Sequence, residues 1–525
     1  MRSNKYINPQ GEPVGTRPAA TILLLRDQPN GQFEVLMTKR SDNASFAPGV
    51  YVFPGGTVDA SDTQASEVKT YAMAAIREAF EELGVLLAKD SSGAYVKQEL
   101  LSAISRSPSG GFSKELAHYG LLPAIDDVLW MCHWITDRDL PKRFDARFYV
   151  ARMPPHQQPI ADETEQFEPT WISPIQALDR CAAGTFQMIF PTIRTLEHLK
   201  RFTTVNEVLQ ACAGDVPIFT SCPRGGLVKG KDVRYMEHES PYGELHLVSP
   251  DGKIVHNLDW QYEHPVRLTK NVKRLTCSNA GLMTGPGTNT YIVGEPGNYA
   301  VIDPGPNDSE HIAKIAQSVG DQLKYILCTH SHPDHSPGAA KLKALTGGIA
   351  PIIGLASRAT AKQHSLFVPD REFIENETFS IGDSTLRIVF TPGHAANHVC
   401  IELIEDKLLF SGDHILNGST TIVDPPDGNM NDYIASLDRL AQLDVEYILP
   451  AHGYVLGEAI KAITHLKAHR LKREAKVIKA MRLQPGGTHE EWVKVAYDDT
   501  PEKLHGIALR SLLAHVERIK LLEMA

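Results

Sequence analysis

The pattern of hydrophobic and polar positions changes period several times along this chain, and each change predicts a different structure. From Ala20 two continuous apolar runs, "ATILLLR" and "FEVLMTKR", read as buried strands. Apolar residues at helical spacing follow over Tyr71–Leu87, and "RFDARFYVARM" returns to a strand-and-loop pattern. Between Thr203 and Glu263 turn signals recur every few residues, in "CPRGGLVKGK", "SPYGEL" and "SPDGKI", which predicts a β-rich connector. From Pro265 to Gly457 short β-branched runs such as "TYIVG", "YAVID" and "LRIVFT" alternate with helical patterns such as "SEHIAKIAQSVG". That alternation predicts an α/β layered domain. The remainder, Glu458 to Ala525, reads as helices interrupted at "QPGG".

At 525 residues the chain is too long for one hydrophobic core, so several domains are expected. A content of 42% hydrophobic and 22% charged residues excludes large-scale disorder, and a net charge of -10 argues against wholesale coating of nucleic acid. Seven scattered cysteines without a C-x-x-C pair suit a reducing compartment. The N-terminal stretch has no apolar segment like that of a signal peptide, and no run reaches membrane-spanning length. A cytoplasmic protein without a membrane partner is expected; its oligomeric state is not legible.

The strongest chemical signal is "THSHPDHSPG", which places His330, His332, Asp334 and His335 on a loop leaving the run "YILC". Asp303, His394, Asp413 and His452 also sit at the ends of apolar runs. Imidazole and carboxylate together suit borderline divalent cations, and two such ions need about seven or eight ligand positions.

These motifs, in this order, resemble the metallo-β-lactamase superfamily, whose central motif is H-x-H-x-D-H. The resemblance implies an αβ/βα sandwich over 264–457 with two zinc ions, or manganese or iron(II). His330, His332 and His394 would hold one metal and Asp334, His335 and His452 the other. Asp413 would bridge them, Asp303 would orient the cluster, and Asp334 would take part in catalysis. The expected chemistry is hydrolysis at a carbonyl or phosphoryl centre. "GPGTNTYIVG", "TPGHAANHVCIEL", "DGNMNDYIASLDRL" and the C-terminal "WVKVAYDDTPEKLHGIALRSLLAHVERI" are similar to the lactamase-like protein 2 group. That likeness implies a small winged-helix-like domain over 458–525 and, because a member of the group cuts single-stranded RNA, an RNA substrate as one reading. His398 fits the group's pattern as a substrate contact or a structural hydrogen-bond partner. In "KAITHLKAHRLKREAKVIKAMRLQPGG", Arg470 and Arg473 fall on the apolar stripe of a basic helix. Buried arginines seek anionic partners, either acids of the metal domain or a phosphate at the rim of the active site.

A second chemistry is legible before residue 203. "REAFEELGV" sets Glu78, Glu81 and Glu82 on one helical face, where mutual repulsion predicts a hard cation. With "FPGGTVDASD" upstream it resembles the Nudix box of hydrolases acting on nucleoside diphosphates linked to another group. The resemblance implies an α/β/α sandwich over 17–202 and magnesium or manganese on the three glutamates, with Glu78 and Glu82 catalytic. Arg77 would orient Glu78, and Gly55 and Gly56 would let the backbone approach the ligand. Fourteen residues, Thr63 to Ile76, separate Asp62 from Arg77, where the pattern has seven, and this spacing argues against a role for Asp62. The segment 36–56, with Ser45 where an arginine is usual, is similar to coenzyme A-type Nudix diphosphatases.

The whole reads as an α/β and α+β multidomain chain divided at 17–202, 203–263, 264–457 and 458–525. It is expected to be a two-site metal-dependent hydrolase of phosphorylated small molecules. One alternative is an RNA endonuclease whose Nudix part trims or senses nucleotides. In the other, the Nudix half is a ligand sensor without turnover.

Overall fold

A computed structural model describes residues 5–8, 11–43, 47–107, 111–164 and 166–524; Ser45 lies outside them. The chain forms two compact units, Glu12–Pro223 and a second made of Met1–Gly11 with Arg224–Ala525. No helix among the described residues is long and apolar enough to cross a membrane.

In the Glu12–Pro223 unit the apolar runs become the strands Thr16–Asp27 and Phe33–Arg40 of a mixed sheet. Thr16–Asp27 lies between Arg143–Arg152, parallel to it, and the antiparallel Phe33–Arg40. Against the sheet packs the helix Glu67–Leu83, burying Ala72, Ala75, Ile76 and Phe80. It starts and stops four residues earlier than its apolar pattern suggests. The Ser66 hydroxyl caps its first turn, and Gly84, at φ 62°, ends it in the left-handed region. Val85, Leu86 and Leu87 remain fully buried beyond that cap, so burial alone extended the pattern.

Residues 203–263 do not form a separate connector. The helix Val205–Ala211 and the strand Phe219–Ser221, parallel to Leu129–Ile135, belong to the first unit. The hairpin Arg224–Val228/Lys231–Tyr235 and the helix Tyr242–Val248 belong to the second.

The second unit stacks a seven-stranded sheet, from Val266–Arg267 to Arg371–Glu372, on a five-stranded one, from Thr378–Ile381 to Tyr447–Pro450. Tyr291, Ile302, Leu327, Ile388, Ile401 and Phe410 fill the space between them. Helices Ser309–Val319 and Ala339–Leu345 cover one outer face and Met430–Leu440 the other, completing an αβ/βα sandwich. The helices Ala459–Leu483, His489–Ala496 and His505–Met524 share a small core around Val477, Ala496 and Leu512. Residues 5–8 also belong here: Lys5 donates to the Asp406 carbonyl at 2.8 Å and to Glu446 at 2.7 Å, while Tyr6 and Ile7 pack on the sandwich core.

One buried charge network ties the helix Tyr242–Val248 to the sandwich. Glu244 accepts from Arg274 at 3.0 Å, His256 at 2.9 Å and the Val455 N–H at 3.2 Å. Burial acts to raise its pKa, yet Arg274 and His256 hold it down, to about 2 from an ordinary 4.5. A depressed carboxylate contributes stability that is present above the unfolded value and lost as pH falls from about 4.5 towards 2. Glu244→Gln should therefore destabilise this unit by about 3–5 kcal/mol at neutral pH, by stranding Arg274. Denaturant titrations of both proteins should show that difference shrinking below pH 4.5.

Candidate metal centres

At one edge of the sandwich the strand-end residues converge. His330 Nε2 and His394 Nε2 each lie 3.0 Å from His332 Nδ1, and Asp413 Oδ2 lies 3.5 Å from His394 Nε2. Next to this group, His452 Nε2 is 3.3 Å from Asp334 Oδ2 and 3.2 Å from Asp413 Oδ1, and His335 Nε2 is 3.5 Å from Asp413 Oδ1. Each group, His330–His332–His394–Asp413 and Asp334–His335–His452, brings its donor atoms within 4.8 Å of one another. The two oxygens of Asp413 face different groups, which is the geometry of a bridge.

The surrounding hydrogen bonds dictate which ring nitrogens carry protons. Thr329 gives its single hydroxyl proton to Asp303 Oδ2 at 2.7 Å, so its oxygen must accept from His330 Nδ1 at 3.0 Å. His394 Nδ1 faces the Ile422 carbonyl at 2.7 Å and His452 Nδ1 the Gly287 carbonyl at 3.1 Å; both must donate. His335 Nδ1 donates to Asp303 at 3.0 Å. Every one of these rings therefore uses Nδ1 for its support and turns Nε2 towards the cluster. His335 Nε2, His452 Nε2 and Asp413 Oδ1 are buried without a hydrogen-bond partner. Unpartnered ring nitrogens and carboxylate oxygens converging on two points are what a pair of divalent cations satisfies.

Electrostatics agree. Burial, with the neighbouring His394, pushes His332 down to about 3, leaving it a neutral donor. For His452 burial acts downward, but Asp413 and the contacts with Asp334 raise it to about 10. The carboxylates thus demand positive charge, which a cation supplies while displacing the proton.

Supports for the cluster come from distant segments. Asp303, at φ 51°, also accepts the Thr329 N–H at 2.7 Å, fixing the strand end that leads into His330. His398 is fully buried and accepts the Asp413 N–H at 3.2 Å, while its other nitrogen meets Thr391 at 2.9 Å. Its place is beneath Asp413 rather than against a substrate. Gly412 must lack a side chain there, because a Cβ would come 2.6 Å from His398 Nε2.

Neither stripe arginine lines a phosphate-binding rim. Arg470 is buried, stacks 5.0 Å over Tyr433 and donates to the Thr421 carbonyl. Arg473 pairs with Asp499 at 2.8 Å. Three lysines of the same helix are also engaged, Lys461 with Glu458, Lys467 with Asp438, and Lys476 with Asp498 and Asp499, while Lys472 and Lys479 are exposed. Spacing along one helix carries no information about acids supplied by other elements.

The Glu12–Pro223 unit holds the second site. Arg77 donates to Glu78 and Glu81 at 2.8 Å each, and grips Asp62 through two bonds of 3.0 Å. The expectation that the longer spacing removes Asp62 is thus corrected. The extra residues form the first turns of the helix, and Asp62, buried, reaches Arg77 from the loop before it. Glu82 is held differently, by neutral donors: the Gly55 N–H at 3.0 Å and the Gln166 amide at 2.9 Å, the latter braced by Thr38 at 2.7 Å. Burial pushes Glu82 up to about 8 and, against the pull of Arg77, Glu78 up to about 7. Gly56 packs so closely on Glu78 that a Cβ would come 2.3 Å from its carboxylate. Three crowded carboxylates with raised pKa values and a bare backbone beside them fit a divalent cation and a bulky anion. A cavity of about 660 Å³ in the same unit is lined by Lys39, Arg40, Asp42, Glu163, Phe167 and Glu168. Gln166 and Thr38 carry no sequence signal of their own; only the fold brings them to Glu82.

Comparison with known proteins agrees with this division. The profile of the Metallo-beta-lactamase superfamily matches residues 283–452, that of the NUDIX domain 15–189, and that of the Beta-lactamase associated winged helix domain 488–521. Lactamase-like protein vrtG of Penicillium aethiopicum is 33% identical over 268 residues, 48% of this chain and 81% of its own. The Beta-lactamase-like protein 2 homolog of Caenorhabditis elegans is 29% identical over 47% of this chain and 83% of its own. An Atrochrysone carboxyl ACP thioesterase of Aspergillus chevalieri is 29% identical over 48% of this chain and 80% of its own. The chain belongs to the metallo-β-lactamase superfamily and carries a NUDIX domain and a C-terminal winged helix domain besides. Both larger domains are of hydrolase families, and the protein is a hydrolase. Among the described residues its C-terminal part has no strand, so the winged helix domain is represented by its helices.

Proposed function

We propose that this protein is a bifunctional hydrolase. Its metallo-β-lactamase half would cleave an acyl thioester and its NUDIX half the diphosphate of a coenzyme A-like compound. The observation that carries the first activity is the seven-residue cluster with Asp413 facing both groups. Two zinc ions held by these seven residues would supply Lewis acidity and activate water for hydrolysis. Around them Asp303, Thr329 and His398 fix the ligand orientations, and the carbonyls of Gly287 and Ile422 hold the imidazole tautomers. A relative that is a thioesterase favours a thioester over a phosphodiester.

For the NUDIX half, magnesium or manganese on Glu78, Glu81 and Glu82 would neutralise a diphosphate. Lys39 and Arg40 line a cavity of the same unit together with Asp42, Glu163 and Glu168. An acyl-coenzyme A offers both scissile bonds, so one metabolite could serve both sites in turn. The test is a screen of acyl-coenzyme A species, nucleotide sugars and single-stranded RNA, with zinc and magnesium varied independently. Release of free thiol with zinc and of an adenosine phosphate with magnesium is expected. Cleavage of RNA alone would replace this reading.

A further inference from the structure

We infer that the C-terminal helices are part of the metal-binding apparatus, with Arg470 a positioning residue for His394. The segment Thr421–Val423 connects them. Ile422 offers its carbonyl to His394 Nδ1 at 2.7 Å, which both orients that ring and fixes its proton on the far nitrogen. Thr421 donates its hydroxyl to the Asp413 carbonyl at 2.8 Å, so the same three residues brace a second metal ligand. These residues are irregular in structure and are held from the other side. Arg470, on the helix Ala459–Leu483, donates to the Thr421 carbonyl, and Ser511, on His505–Met524, stands 3.4 Å from the Val423 N–H. Val423 itself is buried in a cluster with Tyr433, Ile463 and Ala514, which come from three different helices.

The placement of Arg470 gives a costly feature a use. Arg470 is 3% exposed, and its Nε has no hydrogen-bond partner, so its guanidinium is expensive to bury. It is spent on a carbonyl one peptide away from the one that holds His394, and its face rests on Tyr433, whose hydroxyl in turn donates to the His414 carbonyl at 2.6 Å. Arg470, Tyr433 and Thr421 therefore close a frame around the turn that presents Asp413 and the loop that presents His394. The metal centre depends on a domain that contributes no ligand to it. This inference rests on the reading that the His/Asp cluster binds metal.

Cobalt(II) titration of the full-length protein, followed by its visible spectrum and by competition with a chromophoric chelator, separates the two claims. If the unaltered protein takes up no cobalt, the metal reading itself fails. Given uptake, Arg470→Met should weaken one of the two sites by about 10–100-fold, as loss of a ligand's outer partner does, and change its spectrum. Arg470→Lys, which keeps a donor of similar reach, should recover part of both. Val477→Ala, in the helical core and remote from the frame, provides a control for general destabilisation and should leave the spectrum unchanged. Unaltered affinity and spectrum in Arg470→Met would overturn the proposal. Should that variant not fold, Ser511→Ala is read by the same spectrum: a change supports the frame, and no change overturns it.

Discussion

Replacing Asp334 by asparagine should lower hydrolysis by the metallo-β-lactamase half more than about a hundredfold, beyond what loss of an outer partner costs. The fold should be unaffected. Asp334 Oδ2 stands 3.3 Å from His452 Nε2 and 3.4 Å from His335 Nε2, both turned towards it. An amide in its place either aims N–H donors at those nitrogens or offers a neutral oxygen, and in both cases the charge that attracts the second cation is gone. Metal analysis should show the ion of the Asp334–His335–His452 group missing while diphosphate cleavage by the other unit continues. An asparagine variant with full metal content and full thioester turnover would remove Asp334 from the site.

Glu82→Gln is the complementary experiment. The glutamate is clasped by two neutral donors, so glutamine fits the volume but must turn its own N–H groups against Gly55 or Gln166. If Glu82 is the base or ligand that the site requires, diphosphate cleavage should fall by about 10²–10⁴-fold. Thioester cleavage should be unchanged. Thermal stability without added cation should fall modestly, because one N–H of the glutamine then faces the Gly55 N–H or the Gln166 amide. Kinetics and melting of the purified pair check both statements. A wild-type protein that binds magnesium and nucleotide yet shows no turnover would make the NUDIX half a sensor.

What was legible in the sequence shares one physical origin. Metal ligands at strand ends come as short local words, "HSHPDH" or "PGH", because the cation demands donors a few residues apart on a stiff loop. Those words also order the sandwich, since each follows a buried strand. Supports are another matter. Gln166 reaches Glu82 across 84 residues and Asp303 reaches His335 across 32, and neither spacing is constrained by local chain geometry. The Asp62 expectation failed for a related reason. Residues inserted into a helix N-terminus advance its start without moving its far end, so a count along the chain overstates the separation in space. Arg470 and Arg473 looked available for phosphate because a helical stripe shows where a side chain points and leaves its neighbour unnamed.

The docking of residues 5–8 bears on how the protein is made. Lys5 and its partner Glu446 are 441 residues apart, with the whole NUDIX unit between them. At about 5–20 residues per second of synthesis, the first segment waits roughly 20–90 s for the surface that receives it. During that interval the NUDIX unit, whose residues are contiguous, has all it needs to fold on the ribosome, while Tyr6 and Ile7 stay uncovered. Closure of the metallo-β-lactamase unit around its earliest residues is thus a late event in the life of the chain.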